Sequence, residues 1–253
     1  MSAEQRRVAV VTGGASGIGR AAALQLGADG FDVAVLDNAC ELAQETAAEV
    51  EATGAHAIAV ELDVRSEDSV AAAFAQVAQS LGVVYALVNS AGVFSEIPFA
   101  ELSLAEWRRI VDTNLTGTFL CCREGVRQIR AAGTEGRIVN VASVHSVAPS
   151  AGLSHYDASK GGIWMLTKSL ALELGPLGIS VNAVGPGIIT RTRLTSGPSE
   201  GYLAKVIPAL PLRRVGQPED VAGPISFLCS QQAGYITGSL LIVDGGMLLT
   251  AQT

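Results

Sequence analysis

Seven short runs rich in β-branched residues recur along the chain: Arg7 to Thr12, Val33 to Leu36, Ala57 to Leu62, Tyr85 to Asn89, Arg137 to Ala142, Ile179 to Val184 and Ser239 to Val243. Longer stretches of helical periodicity separate them. Strands that alternate with helices need right-handed crossovers, so the pattern confines the chain to a parallel sheet with helices on both faces. No linker or repeat divides the 253 residues, which predicts one α/β domain over 1–253. Helix starts carry their own signals. Ser103 with Glu106 spells a capping box, with Leu102 and Trp107 placed as a hydrophobic staple, and Pro218-Glu219-Asp220 opens the last long helix. The one long irregular stretch, from Gly185 to about Gln217, contains a candidate lid at about 188–216.

Composition narrows the function. Hydrophobic residues are 49% and charged residues 16%, which excludes a disordered chain. Lys+Arg number 17 against 24 Asp+Glu, a formal net charge of -7, so no basic field draws the protein to nucleic acid or an anionic membrane. Met1 to Arg7 is polar, and no apolar run approaches the roughly 18 residues of a membrane span, which predicts a cytoplasmic protein. Cys40, Cys121, Cys122 and Cys229 lack Cys-x-x-Cys spacing, and His56, His145 and His155 form no metal-ligand pattern. Reduced thiols and no metal are expected.

The first strand runs into Thr12-Gly13-Gly14-Ala15-Ser16-Gly17-Ile18-Gly19 and then a helix expected over Arg20 to Ala28. Glycines there let the backbone pass close to a pyrophosphate, and the helix N-terminus offers it free N–H groups. Asp37 ends the second strand, where a carboxylate can accept hydrogen bonds from both ribose hydroxyls of adenosine and would repel a 2′-phosphate. No Arg or Lys lies between Gly13 and Gly17 to neutralise such a phosphate, so NAD is favoured over NADP. A helix cap or turn is the other use of an Asp at this position.

Tyr156 and Lys160 are four residues apart, one helical turn, which brings ammonium and phenol together. A free phenol has a pKa of about 10 and needs a nearby cation to shuttle protons at neutral pH.

With these elements in place, the chain resembles the short-chain dehydrogenase/reductase family over nearly its whole length. Thr12 to Gly19 resembles the family's Thr-Gly-x-x-x-Gly-x-Gly turn, Asp63-Val64 the pair whose acidic member holds adenine, and Asn89-Ser90-Ala91-Gly92 its Asn-Asn-Ala-Gly segment, with Ser90 in place of the second Asn. Asn114, Ser143, Tyr156 and Lys160 fall where the family carries its catalytic tetrad, and Pro186-Gly187 where it carries the turn under the nicotinamide, followed by Ile189 and Thr190. The family's nicotinamide-contacting Thr falls here at Arg191, between Thr190 and Thr192, so either threonine can serve. The resemblance implies a doubly wound, Rossmann-like sheet of seven parallel strands. It implies NAD held by Gly13, Ser16, Gly17, Ile18, Gly19, Asp37, Asp63, Val64, Asn89, Ala91, Gly92, Tyr156, Lys160, Pro186, Gly187, Ile189 and Thr190. The reaction implied is hydride transfer between NAD(H) and a secondary alcohol or ketone. Ser143 would steady the substrate oxygen, Tyr156 would exchange its proton, Lys160 would also bind ribose, and Asn114, in a poor helix-forming run, would let a water link Lys160 to solvent. Many relatives are tetramers, and the apolar last strand with Met247-Leu248-Leu249 independently calls for a covering copy.

Val93, Phe94, the segment Val144 to His155 and the Gly185 to Gln217 loop should line a mostly apolar substrate pocket. That suits a neutral alcohol or ketone, unless Arg191 or Arg193 turns inward to meet a carboxylate. Two rival readings are a 3-oxoacyl-thioester reductase, which Asp37 disfavours if it runs on NADPH, and a non-enzymatic NAD-sensing protein, which the complete tetrad disfavours.

Overall fold

The central strand β1 (Arg7–Thr12) is apolar in both directions of its pleat: Val8 and Val10 pack into one core cluster, Ala9 and Val11 into another on the opposite face. The computed structural model describes residues 6–192 and 200–250. In it β1 pairs in parallel with both β2 (Phe31–Asp37) and β4 (Val84–Asn89). With β3 (Ala57–Glu61), β5 (Gly136–Val141), β6 (Ile179–Pro186) and β7 (Leu240–Val243) they form one seven-stranded sheet in the order β3-β2-β1-β4-β5-β6-β7. Every pairing is parallel.

Helices α1 (Gly17–Ala28), α2 (Cys40–Glu51) and α8 (Pro218–Cys229) supply Leu26, Val50 and Ile225 to one face. Helices α3 (Glu67–Ser80), α5 (Gly117–Ala132) and α6 (Ser154–Leu174) supply Phe74, Ile129 and Leu174 to the other. These six side chains are buried, each contributing roughly 1.5–3 kcal/mol relative to exposure. The chain builds β2 and β3 on one side of β1 and then returns to place β4 on the other. The connections leaving β1 and β4 therefore diverge, opening a crevice at the strands' carboxyl ends.

Several local expectations shift. Helix α1 starts at Gly17 rather than Arg20, so the last two glycines of the turn already belong to its first turn. At α4 (Leu104–Val111), Ser103 Oγ accepts from Glu106 N at 3.2 Å, but the Glu106 carboxylate does not return to Ser103; it takes hydrogen bonds from Ser95 and Arg109. A charged guanidinium is the stronger partner for it than a backbone amide. At α8 the acidic first turn does close back: Gln217 N donates to Asp220 at 2.8 Å, behind Pro218.

The stretch after β6 is less irregular than its sequence suggests. Ile189 bridges Gly216 in parallel, pinning the two stems together, and Glu200–Val206 forms the short helix α7. Gly197, Pro198 and Arg193 lie outside the described residues. No helix among the described residues is long and apolar enough to cross a membrane.

Candidate active site

The glycine turn is held against the end of β4 by contacts that exclude a side chain. Gly13 has φ 66°, and a Cβ on it would lie 2.6 Å from Ala91 N; a Cβ on Gly19 would lie 2.1 Å from the Gly13 carbonyl oxygen. Thr12 Oγ1 accepts from Ser90 N at 3.2 Å and Ala91 N at 3.3 Å, tying the two strand ends together. Asp37 braces the same turn from the other side, accepting from Ala15 N at 3.1 Å and from Ala39 N at 2.9 Å, just before α2. Its carboxylate is thus a turn brace and also part of the cleft wall.

The cleft itself has a volume of about 1040 Å³. One end is walled by Gly13, Ser16, Gly17, Ile18, Asp37, Asp63 and Val64. Ala91 and Gly92 form its middle, and the far end holds Ser143, Tyr156, Lys160, Pro186, Gly187 and Ile189. Three residues expected to touch cofactor stand elsewhere. Gly19 lies behind the turn it allows. Asn89 is buried beneath the cleft, donating to Asn140 Oδ1 at 2.8 Å, and Asn140 in turn donates to Thr167 Oγ1 at 2.9 Å. Thr190 faces Gly216, its hydroxyl 3.3 Å from the carbonyl oxygen; Thr192 lines the cleft and packs against Gly17.

Asp63 departs from expectation in another way. Arg65, not singled out in the sequence, grips its carboxylate with Nε at 2.9 Å and Nη2 at 2.7 Å, and holds its pKa below the usual carboxylate range. Arg191 has φ 55° and points away from the cleft, with Nη2 2.6 Å from Glu219 and Nε 2.7 Å from Gln217 Oε1. The sequence alternative in which Arg191 meets a substrate carboxylate is not the arrangement adopted, because α8 offers that guanidinium an anion first.

Asn114 sits on a π-helical turn, Asp112–Thr116, between α4 and α5. The widened turn agrees with the poor helix formers read there. Its side chain is fully buried and clamps the segment after β4, accepting from Val93 N at 2.8 Å and donating to Val93 O at 3.0 Å and to Ser159 Oγ at 3.1 Å. Ser143 follows β5, its Oγ accepting from His145 N at 3.2 Å. Tyr156 and Lys160 lie on α6 one turn apart, with Lys160 Nζ 5.6 Å from the Tyr156 ring centre. Nζ donates to the Val141 carbonyl at 2.8 Å, a backbone partner that no side-chain pattern could have announced. Phe94 meets the Tyr156 ring edge-on, with centres 5.0 Å apart.

A family model described as enoyl-(acyl carrier protein) reductase matches residues 13–248. The chain belongs to the short-chain dehydrogenase/reductase family. It is 40% identical over 248 residues to 3beta-hydroxysteroid dehydrogenase 1 of Eggerthella lenta, covering 96% of this chain and 94% of that one. To a 3-oxoacyl-[acyl-carrier-protein] reductase of Aquifex aeolicus it is 39% identical over 244 residues, covering 96% and 98%. The crystal structure of an acetoin dehydrogenase from Enterobacter cloacae superimposes with a TM-score of 0.88 at 36% identity, covering 98% of both chains. The short-chain dehydrogenases/reductases are oxidoreductases that use nicotinamide cofactors. The residues present fit that group, since the turn admits no side chain at Gly13 and opens directly onto the α1 N-terminus.

Electrostatics at the deep end follow burial more than pairing. Tyr156 and Lys160 are both 6% exposed. Burial pushes the Tyr156 phenol up to about 12; a hydrogen bond from Ser143 opposes this and the Asp157 charge reinforces it. The expected lowering by Lys160 does not prevail, because burial also drives the Lys160 ammonium down to about 8. Between pH 8 and the unfolded lysine's 10.5 the unfolded chain binds more protons at this site than the folded one, so stability rises with pH there. Below pH 8 the folded protein carries the cost of a buried cation. Lys160→Met should therefore raise thermal stability at pH 7, by on the order of 1–3 kcal/mol, with the gain shrinking as pH approaches 10.5. Calorimetric melts of both proteins across that range test it, and a variant less stable at every pH would refute the assignment.

Proposed function

We propose that this protein is an NAD-dependent dehydrogenase that interconverts secondary alcohols and ketones. The observation that carries the reading is the convergence of Ser143, Tyr156 and Lys160 at the deep end of a cleft whose other end presents the Asp37 carboxylate. When bound, the nicotinamide supplies or accepts the hydride and carries a positive charge in its oxidised form. Ser143 Oγ, fixed by the His145 amide, donates to the substrate oxygen and steadies charge developing on it. The Tyr156 hydroxyl gives its proton to the carbonyl oxygen in reduction and takes the alcohol proton in oxidation. Lys160, locked on the Val141 carbonyl, keeps a cation near the phenol and reaches ribose. Asn114 positions the wall of the site by clamping Val93 rather than by touching substrate. Of the two threonines, Thr192 lines the cleft, which supports assigning it rather than Thr190 to the nicotinamide amide.

Ile188 and Tyr202 bring an apolar wall to the substrate end, in keeping with a lid at about 188–216 over a neutral ketone or alcohol. The 3-oxoacyl-thioester reductase reading draws on the family-model description and the Aquifex relative. It loses ground at Asp37, which opposes a 2′-phosphate, and no basic side chain stands within the glycine turn to offset that charge. We further propose a homo-oligomer, a tetramer with two-fold axes. Leu241 on the edge strand β7 is exposed, as are Leu249, Leu172 and Phe99, a spread of apolar surface that a second copy would cover.

Steady-state kinetics should give a higher kcat/KM with NAD than with NADP, and equal or better use of NADP would remove the role assigned to Asp37. Tyr156→Phe should cut turnover by about 10²- to 10⁴-fold while binding of NAD, read by calorimetry, persists. Near-normal activity in that variant would sink the catalytic assignment. Light scattering at micromolar concentration should report a multiple of 26.0 kDa; a monomer alone would exclude the proposed assembly.

A further inference from the structure

His145 stands two residues after Ser143, lines the cleft, and packs edge-on against the Tyr156 ring with centres 5.8 Å apart. Its Nδ1 lies 3.0 Å from Asp157 Oδ1. Both atoms are buried and neither makes an aligned hydrogen bond, so this close approach is the polar contact each has among the described residues. Each is therefore the other's available partner. The Asp157 carboxylate is itself fixed, since Oδ2 accepts from Ser150 N at 3.0 Å. A carboxylate oxygen that close to Nδ1 requires the ring proton to sit on Nδ1, because two lone pairs would otherwise face each other. In the neutral ring Nε2 is then left as a hydrogen-bond acceptor. It is absent from the buried unpartnered atoms and has no described protein partner, and the imidazole keeps 17% of its side chain accessible.

We propose that His145 is a specificity-determining residue whose Nε2 accepts a hydrogen bond from a second hydroxyl of the substrate, a few bonds from the reacting carbon. Asp157 acts as the positioning residue that fixes the ring and its tautomer. The inference rests on the dehydrogenase reading above and narrows its substrate class to an apolar-bodied diol or hydroxyketone. The packing on Tyr156 carries the spatial part of the argument. Phenol and imidazole share one wall, so a single small molecule with one oxygen on Tyr156 and Ser143 can set its other oxygen on His145. Val93, Phe94, Val144 and Leu153 make much of that end apolar, while the Glu96 carboxylate packs beside Gly152 on the same cleft wall and His145 is the group set against the Tyr156 ring. A buried acceptor left without a donor penalises a substrate that lacks the hydroxyl.

The test measures kcat/KM with NAD for a vicinal diol and for the mono-alcohol lacking the second hydroxyl, in the parent, His145→Leu and His145→Gln. The parent should prefer the diol by about tenfold or more, the worth of one hydrogen bond at a site built for it. His145→Leu should lose that preference, and His145→Gln, which retains an acceptor at similar reach, should recover part of it. Melting curves report whether each variant is folded, and the Gln variant carries the comparison if the Leu variant is not. A parent that oxidises both compounds without preference, or a preference that survives in His145→Leu, overturns the role of His145 and leaves the dehydrogenase reading standing. No oxidation of either compound by the parent would overturn both.

Discussion

The double pairing of β1 is the constraint on which the rest of this molecule depends. Because β1 has neighbours on both sides and apolar residues on both faces, every later element is placed relative to it. The reversal of strand order between β1 and β4 then opens the crevice, and the chemistry gathers there because the strands deliver their connecting loops to one edge. The contacts at Thr12, Gly13, Ser90 and Ala91 hold the two sides of that crevice at a fixed separation. A loop-built site gains its geometry from such ties, since the loops alone could not hold it.

Beneath the cleft runs a buried polar ladder of Asn89, Asn140 and Thr167, with Asn114 and Ser159 clamping the segment above it. Buried amides cost several kcal/mol when unpaired, so a ladder whose members largely satisfy one another fixes the strand ends in a single arrangement. Lys160 is the exception among these groups. Its ammonium has a backbone carbonyl at 2.8 Å and no carboxylate partner among the described residues, and burial weakens its hold on the proton. A site that keeps a buried cation loses some stability to keep that charge beside the phenol.

How much of this was legible in the chain can be judged at particular residues. Strand β1 and the junction of Gly13 to Gly19 with α1 were readable because their cause is local: β-branched runs, and glycines between strand and helix. The spacing of Tyr156 and Lys160 was likewise set by helix periodicity. Arg191 was not readable, because its direction is decided by Gln217 and Glu219, 26 and 28 residues away. The same holds for Asp63, which Arg65 grips at the cleft wall, and for Thr190, whose turn toward Gly216 follows from the pairing of Ile189 with Gly216.

The sequence by itself determined the class of fold, the positions of the glycine turn and the pairing of phenol with ammonium, since each follows from spacing along one element. Tertiary structure alone decided which groups ended up facing each other across elements: Asp37 on the Ala15 amide, Lys160 on the Val141 carbonyl, Asn114 on Val93. It also decided the balance of charge at the deep end. A phenol's response to a cation one turn away depends on how much water both have lost, and water exclusion is a property of the packed layers rather than of any local pattern.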